Sequence, residues 1–166
     1  MGGNALKNTI TRRYDKDEYF KLRDEILEKL KTINLTGRDL RAFRKKETFG
    51  DMDVLILNDG TIKDIRERIE KTFKPNEMFF NGNVWSFDYK ELQIDFILTP
   101  TRNWESAYNF FSWNDLGNVM GKICHKFNCK YGFEGLNFKY RTEDQRHLGD
   151  INLTRDTEKI FDFFRF

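Results

Sequence analysis

Gly50-Asp51-Met52-Asp53-Val54-Leu55-Ile56-Leu57 decides how this chain is read. The apolar run from Val54 to Leu57, closed by Asn58-Asp59-Gly60, marks a buried strand with a turn behind it. Asp51 and Asp53 stand at its mouth, two residues apart, and the period-2 alternation of a strand puts both side chains on one face. An Asp-x-Asp at a strand start has an ordinary explanation, in which one Asp caps a turn. Asp95 is harder to explain that way. It interrupts a second apolar strand, Leu92–Leu98, between Ile94 and Phe96. Burying a carboxylate there is expensive unless a cation or hydrogen-bond donors compensate. If the two strands are neighbours, three carboxylates converge, and like-charge repulsion destabilises such a cluster without a metal. Hard oxygen donors select Mg²⁺ or Mn²⁺. Two such ions form a clamp for phosphoryl or nucleotidyl transfer.

Upstream of this stretch lies a basic run with Arg38, Arg41, Arg44, Lys45 and Lys46. Charge runs are usually solvated loops. Beside two metals, Arg41, Arg44 and Lys45 would also supply donors for a polyphosphate. Before the run, Tyr19, Leu22, Ile26, Leu30 and Ile33 recur at helical spacing, and Thr36-Gly37 ends that helix. Downstream, Ile62, Ile65, Ile69 and Phe73 mark a second helix. Glu77–Phe80 and Val84–Tyr89 read as a strand pair turning at Asn81-Gly82-Asn83. After Thr99-Pro100, one helix carries Trp104, Ala107, Tyr108 and Phe111, and another carries Leu116, Val119, Met120, Ile123 and Phe127. Short β pieces at 130–133, 138–141 and 147–153 precede a last helix, Thr157–Phe164. The fold class is α+β: a sheet domain to about residue 100 and a smaller mixed subdomain after it.

The 166 residues are 39% hydrophobic, 34% charged and 16% aromatic, with 17 Phe, which is enough for a core and excludes a disordered chain. No stretch approaches the roughly 20 apolar residues of a membrane span. The start lacks a secretory apolar region, and Leu6 stands where a myristoylation signal needs Ser or Thr. The net charge of +2 excludes a tight, whole-surface polyanion binder but leaves room for local basic patches. Cys124 and Cys129 with His125 lack a fourth ligand and the spacing for zinc. They read as reduced thiols in or near a helix, in a reducing, cytoplasmic setting.

Phe43-Arg44-Lys45-Lys46-Glu47-Thr48-Phe49-Gly50-Asp51-Met52-Asp53-Val54-Leu55-Ile56 resembles the catalytic palm of the family X DNA polymerases, the polymerase beta family. Gln93-Ile94-Asp95-Phe96-Ile97-Leu98-Thr99-Pro100 resembles the family's strand that holds the last catalytic aspartate and ends in proline. Phe110-Phe111-Ser112-Trp113-Asn114-Asp115-Leu116-Gly117-Asn118 stands where the family has an aromatic pair, a Thr-Gly-Ser, an Asp and an Asn that meet the incoming nucleotide. Thr157–Phe163 resembles the final helix of the family's thumb. The Asp-x-Asp alone is shared by all nucleotidyltransferases of this fold; the thumb-like half points to family X. The chain departs from the pattern in places. The triphosphate-binding Gly-Ser is matched by Arg41-Ala42, so the hydroxyl is lost and Arg41 is its substitute donor. The Arg before the third aspartate is Gln93, the thumb Arg of the minor groove is Lys122, and the Gly-Ser of the thumb turn is Trp113-Asn114.

The resemblance implies a nucleotidyltransferase palm over residues 16–101, with a mixed sheet and helices on one face. It also implies a thumb-like subdomain at 102–166, the short palm-plus-thumb layout known from a large DNA virus, while the polar start at 1–15 reads as a loosely held, flexible segment. It implies two Mg²⁺ (or Mn²⁺) ions, with Asp51 and Asp53 bridging both and Asp95 holding the catalytic one. Arg41, Ala42, Arg44, Lys45 and Gly50 would face the triphosphate of a nucleoside triphosphate. Phe110 and Phe111 would pack its sugar, and Asp115 and Asn118 its base. Lys122, Lys126 and Gln93 would contact DNA. The implied activity is template-directed addition to a 3′-hydroxyl at DNA gaps by a monomer, with release of pyrophosphate. The alternatives are template-independent transfer to RNA ends, modification of a protein or small molecule, and a non-catalytic DNA-end binder of the same fold.

Overall fold

The computed structural model describes residues 5–164. The fold is mixed α+β and divides into two compact units. One comprises the described residues up to Leu40 together with Arg44–Thr101; the other comprises Arg41–Phe43 and the chain from Arg102.

In the first unit, helix α1 (Lys16–Thr32) opens on a reciprocal capping box. The Asp15 carboxylate accepts from the Glu18 N–H, and the Glu18 side chain accepts from the Asp15 N–H. Its buried stripe is Tyr19, Leu22, Ile26 and Leu30. Ile33, expected to extend the stripe, is the C-cap residue. A five-stranded sheet has the order β2 (Gly37–Asp39), β4 (Asp51–Leu57), β7 (Leu92–Thr99), β6 (Val84–Tyr89), β5 (Met78–Asn81). β4 and β7 are parallel and the other three pairings antiparallel, so the sheet is mixed. β5 and β6 form the expected hairpin, with Gly82 at φ +60° in its tight loop.

Strand β2 lies in the run read as a basic loop. Three residues with no apolar alternation carry little strand signal; β2 exists because β4 offers it an edge. A Cβ on Gly37 would come within 2.4 Å of the Leu30 side chain, so glycine lets α1 lie close over this edge. Leu30 meets Gly37 beside Val54 and Ile56, and Phe73 of α2 (Ile65–Phe73) meets the rings of Phe87 and Phe96. Both helices therefore cover the sheet face that carries Met52, Val54, Ile56, Ile94 and Phe96. Of residues 1–15, expected to be loosely held, 1–4 lie outside the described residues, and the rest are instead tied down by hydrogen bonds to Glu77, Glu91, Thr48 and Gln93. Tyr14–Asp15 (β1) pairs with Thr48–Phe49 (β3), placing Phe49 in a stack with Tyr19 at 3.8 Å.

The second unit has helices α3 (Trp104–Phe111), α4 (Leu116–His125) and α5 (Thr157–Phe164) and an antiparallel sheet of order β10-β9-β8. Those strands are β8 (Cys129–Gly132), β9 (Gly135–Arg141) and β10 (His147–Thr154). Its core is Met120, Cys124, Cys129, Tyr131, Leu136 and Ile160, with Phe110, Ile123, Phe138 and Phe161 packed against it. Phe127, expected on the stripe of α4, lies past its end and is 57% exposed. Trp113 and Asn114 turn α3 into α4 with φ of 66° and 57°. The main chain of residues 41–43 is hung on that turn: the Trp113 N–H donates to the Arg41 carbonyl (2.6 Å), and the Phe43 N–H donates to Asn114 Oδ1 (3.1 Å).

Candidate functional site

The parallel pairing of β4 with β7 sets Asp53 opposite Asp95 and Asp51 opposite Gln93. β6 continues both rows, with Ser86 opposite Asp95 and Asp88 opposite Gln93. Alternation along the strands turns both rows to the sheet face away from α1 and α2. The three aspartates singled out in the sequence thus share one face. Asp53 and Asp95 sit on adjacent strands about 4.8 Å apart.

Their charges are strained by this company. Burial, then the charges of Asp51 and Asp95, push the Asp53 carboxyl up to about 7, against a weaker pull from Lys46. Burial also raises Asp95, which is 8% exposed, while hydrogen bonds from Ser86 and Gln93 oppose the rise. Gln93 Nε2 donates to both carboxylate oxygens of Asp95 at 2.9 Å.

Among the described residues, no three His, Cys, Asp or Glu side chains are gathered into a group that could hold a metal ion as they stand. The donor chemistry nevertheless suits a hard divalent cation, since the row offers carboxylate oxygens and no sulfur or imidazole. In the present arrangement Asp95 spends its oxygens on Gln93 and Ser86.

Sequence reasoning misassigned one neighbour of these carboxylates and did not find two others. Gln93, expected as a DNA contact, is 2% exposed and its amide faces Asp95, so it has no surface to offer a nucleic acid. Lys46, left out of the donor set, is the cation acting on Asp53, and its Nζ lies 4.7 Å from the centre of the Phe49 ring. Tyr19 is buried, and its hydroxyl is held well above its ordinary range, first by burial and then by the charge of Asp53. The only sequence signal for Gln93 was its place two residues before a carboxylate in an apolar strand. For Tyr19 there was none, because its position on an apolar helical stripe reads as core.

The other assigned residues fall in both units. Arg44 and Lys45 are exposed in the first unit, and Gly50 is half-buried there. Arg41 and Ala42 belong to the second unit, where the Arg41 guanidinium lies 5.6 Å from the ring centres of both Tyr108 and Trp113. Phe110 meets Phe111 and Tyr131 edge-on, and Phe111 stacks with Phe133. Both rings are therefore engaged within the second unit's own packing. Lys126 is exposed at the C-cap of α4.

Within the second unit, an open cleft of about 710 Å³ gathers Lys122, Lys130 and Lys139 with His125. Phe110, Asp115, Asn118 and Tyr131 line it too. Asp115 precedes α4 and Asn118 lies in its first turn, while Lys122 and His125 occupy its last turn, so one helix spans the cleft. Lys130 comes within 3.8 Å of Asp150. Cys124 and Cys129 are free and buried in the core, and burial pushes the Cys124 thiol up to about 11, which leaves it a poor ligand and nucleophile. No helix among the described residues is long and apolar enough to cross a membrane.

No protein-family model matches the chain, and no curated protein matches it.

Proposed function

We propose that the chain is a metal-dependent nucleotidyltransferase of the polymerase beta type, its first unit acting as the palm and its second as the thumb. The reading is carried by one observation: the in-register row of Asp53 and Asp95, with Asp51 on the same sheet face. Buried carboxylates in such a row are raised toward neutrality, and a divalent cation is what compensates them best. Asp51 and Asp53 would hold two ions, and Asp95 one of them after Gln93 yields an oxygen. When bound, Mg²⁺ or Mn²⁺ lowers the pKa of an attacking hydroxyl and neutralises charge on a leaving pyrophosphate.

The chain's own residues have separate duties. The carboxylates supply negative charge on a rigid, parallel-paired frame. Arg44 and Lys45 supply donors for the leaving phosphates. The lysines of the second unit's cleft neutralise the backbone of a nucleic acid, with Phe110 and Asn118 beside them. DNA is the preferred acceptor. A non-catalytic DNA-end binder is the second reading, favoured by the Asp95–Gln93 contact, which occupies the carboxylate without a metal.

Primer extension separates the readings when run with all four dNTPs, with ATP alone, and without template. Asp51→Ala, Asp53→Ala and Asp95→Asn should each abolish turnover in a folded protein. Activity within about tenfold of wild type, roughly 1.4 kcal/mol of barrier, in any of the three would exclude the two-metal assignment. DNA binding without extension under every condition would establish the second reading.

A further inference from the structure

We propose that the amino-terminal segment, residues 5–9, positions the Asp95 carboxylate through Gln93. This rests on the nucleotidyltransferase reading and adds a device to it. Gln93 is buried and bridges two parts of the first unit. Its Oε1 accepts from the Ala5 N–H at 2.9 Å, while its Nε2 donates to both oxygens of Asp95. The orientation of the amide follows from its partners. A backbone N–H can only donate and an ionised carboxylate can only accept, so a flipped amide would lose both contacts.

The segment is itself anchored beside that bridge. The Glu77 carboxylate accepts from three consecutive backbone N–H groups: Lys7 (3.0 Å), Asn8 (2.8 Å) and Thr9 (2.9 Å). Asn8 Nδ2 adds a fourth bond at 3.3 Å. The N–H groups of Asn76 and Glu77 in turn bond Asp88, which is the register partner of Gln93 on β6. Ala5 to Thr9 therefore spans from Gln93 on β7 to Glu77 just before β5, and Asp88 of the intervening β6 links the two ends.

Carboxylates that ligate metals depend on the groups that hydrogen-bond them from behind, and losing such a partner typically weakens metal binding about 10- to 100-fold. Gln93 is a positioning residue in this sense: when one Asp95 oxygen turns to a metal, the amide keeps its hold on the other. The anchored segment keeps its amide nitrogen turned toward Asp95 and holds the carboxylate in one plane.

The test uses the full chain and Mn²⁺ as probe, with free Mn²⁺ read by electron paramagnetic resonance. Gln93→Met, which keeps the volume but removes donor and acceptor, should weaken Mn²⁺ binding about tenfold or more. Glu77→Ala lies outside the carboxylate row and removes only the anchor; it should weaken binding about threefold or more, with Glu77→Gln intermediate because one acceptor oxygen remains. The double variant Glu77→Ala/Gln93→Met should bind no worse than Gln93→Met, because the segment acts only through Gln93. Wild-type binding with Glu77→Ala within twofold of it, or additive losses in the double variant, would overturn this proposal alone. A wild-type chain that takes up no Mn²⁺ would overturn the carboxylate reading along with it. Should Gln93→Met fail to fold, the surface variants at Glu77 still decide the matter.

Discussion

Asp53 is a carboxylate pushed toward neutrality by burial and then by the charges of Asp51 and Asp95, and this gives it a measurable effect on stability. Its folded pKa of about 7 lies above the ordinary value of 3.8. The folded state therefore binds the proton more tightly than the unfolded one. Stability from this group is fully present below about pH 4 and is lost as pH rises to about 7, after which the loss levels off. The loss is at most roughly 4 kcal/mol. In metal-free protein the melting temperature of Asp53→Asn should therefore exceed that of wild type at pH 8, with the difference vanishing near pH 4. Thermal melts across that range in the presence of a chelator check it, and equal melting temperatures at pH 8 would show that Asp53 is not strained. Arg41 gives a second prediction at this scale. Its main chain is anchored on the α3–α4 turn and its guanidinium lies over Tyr108 and Trp113. If the proposed function holds and Arg41 stands in for the triphosphate-binding hydroxyl that the resemblance implies, Arg41→Ala should lower turnover and nucleotide affinity and leave DNA affinity unchanged. Ala42→Ser should then recover part of the rate in the Arg41→Ala background. Independent, additive effects on kcat/KM would refute that substitution.

Helices α3 and α4 meet more closely than any side chain permits at one point. A Cβ on Gly117 would lie 2.2 Å from the Phe110 carbonyl oxygen, which is backbone and cannot swing away. Gly117→Ala must therefore move α4, which carries Asn118 and Lys122, away from α3, which carries Phe110. Overpacking of this kind costs about 1–3 kcal/mol. The expected result is a lower denaturant midpoint, measured by urea titration, and, on the proposed function, weaker nucleic-acid binding by fluorescence anisotropy; an unchanged midpoint would mean that the contact relaxes elsewhere. The principal helices and strands were readable from their periodicity. The two-residue strands β1 and β3 and the three-residue β2 were not, because so short a segment has no period of its own and is a strand only by virtue of its partner.

Charge sets the expectation for the molecule as a whole. On the proposed nucleotidyltransferase reading and with a net charge of +2, nucleic-acid binding would have to come from local groups: the exposed Arg44 and Lys45 in the first unit, and Lys122, Lys130 and Lys139 at the cleft of the second. Few phosphates are neutralised at once, so affinity should be modest. The slope of log K against log salt should correspond to about three to five phosphate contacts. Titration of a gapped duplex from low to moderate salt measures it, and a slope near zero would exclude nucleic acid as the substrate.

Local chemistry carried much of this protein's description. The Asp-x-Asp before Val54–Leu57 and the lone Asp95 amid apolar residues were conspicuous because a charge in an apolar strand is costly wherever that strand goes. The period of each long element likewise depends only on the residues within it. What tertiary structure alone decided was the company these residues keep. Which strand lies beside β4, and in which register, is a long-range choice; it put Asp53 against Asp95 and Asp51 against Gln93. The same choice turned Gln93 inward to Asp95. The placing of Lys46 near Asp53, the burial of Tyr19 beside that charge, and the tethering of residues 5–9 on Glu77 and Gln93 all join segments distant in the chain. No window of sequence contains both members of such a pair, so only the folded chain could bring them together.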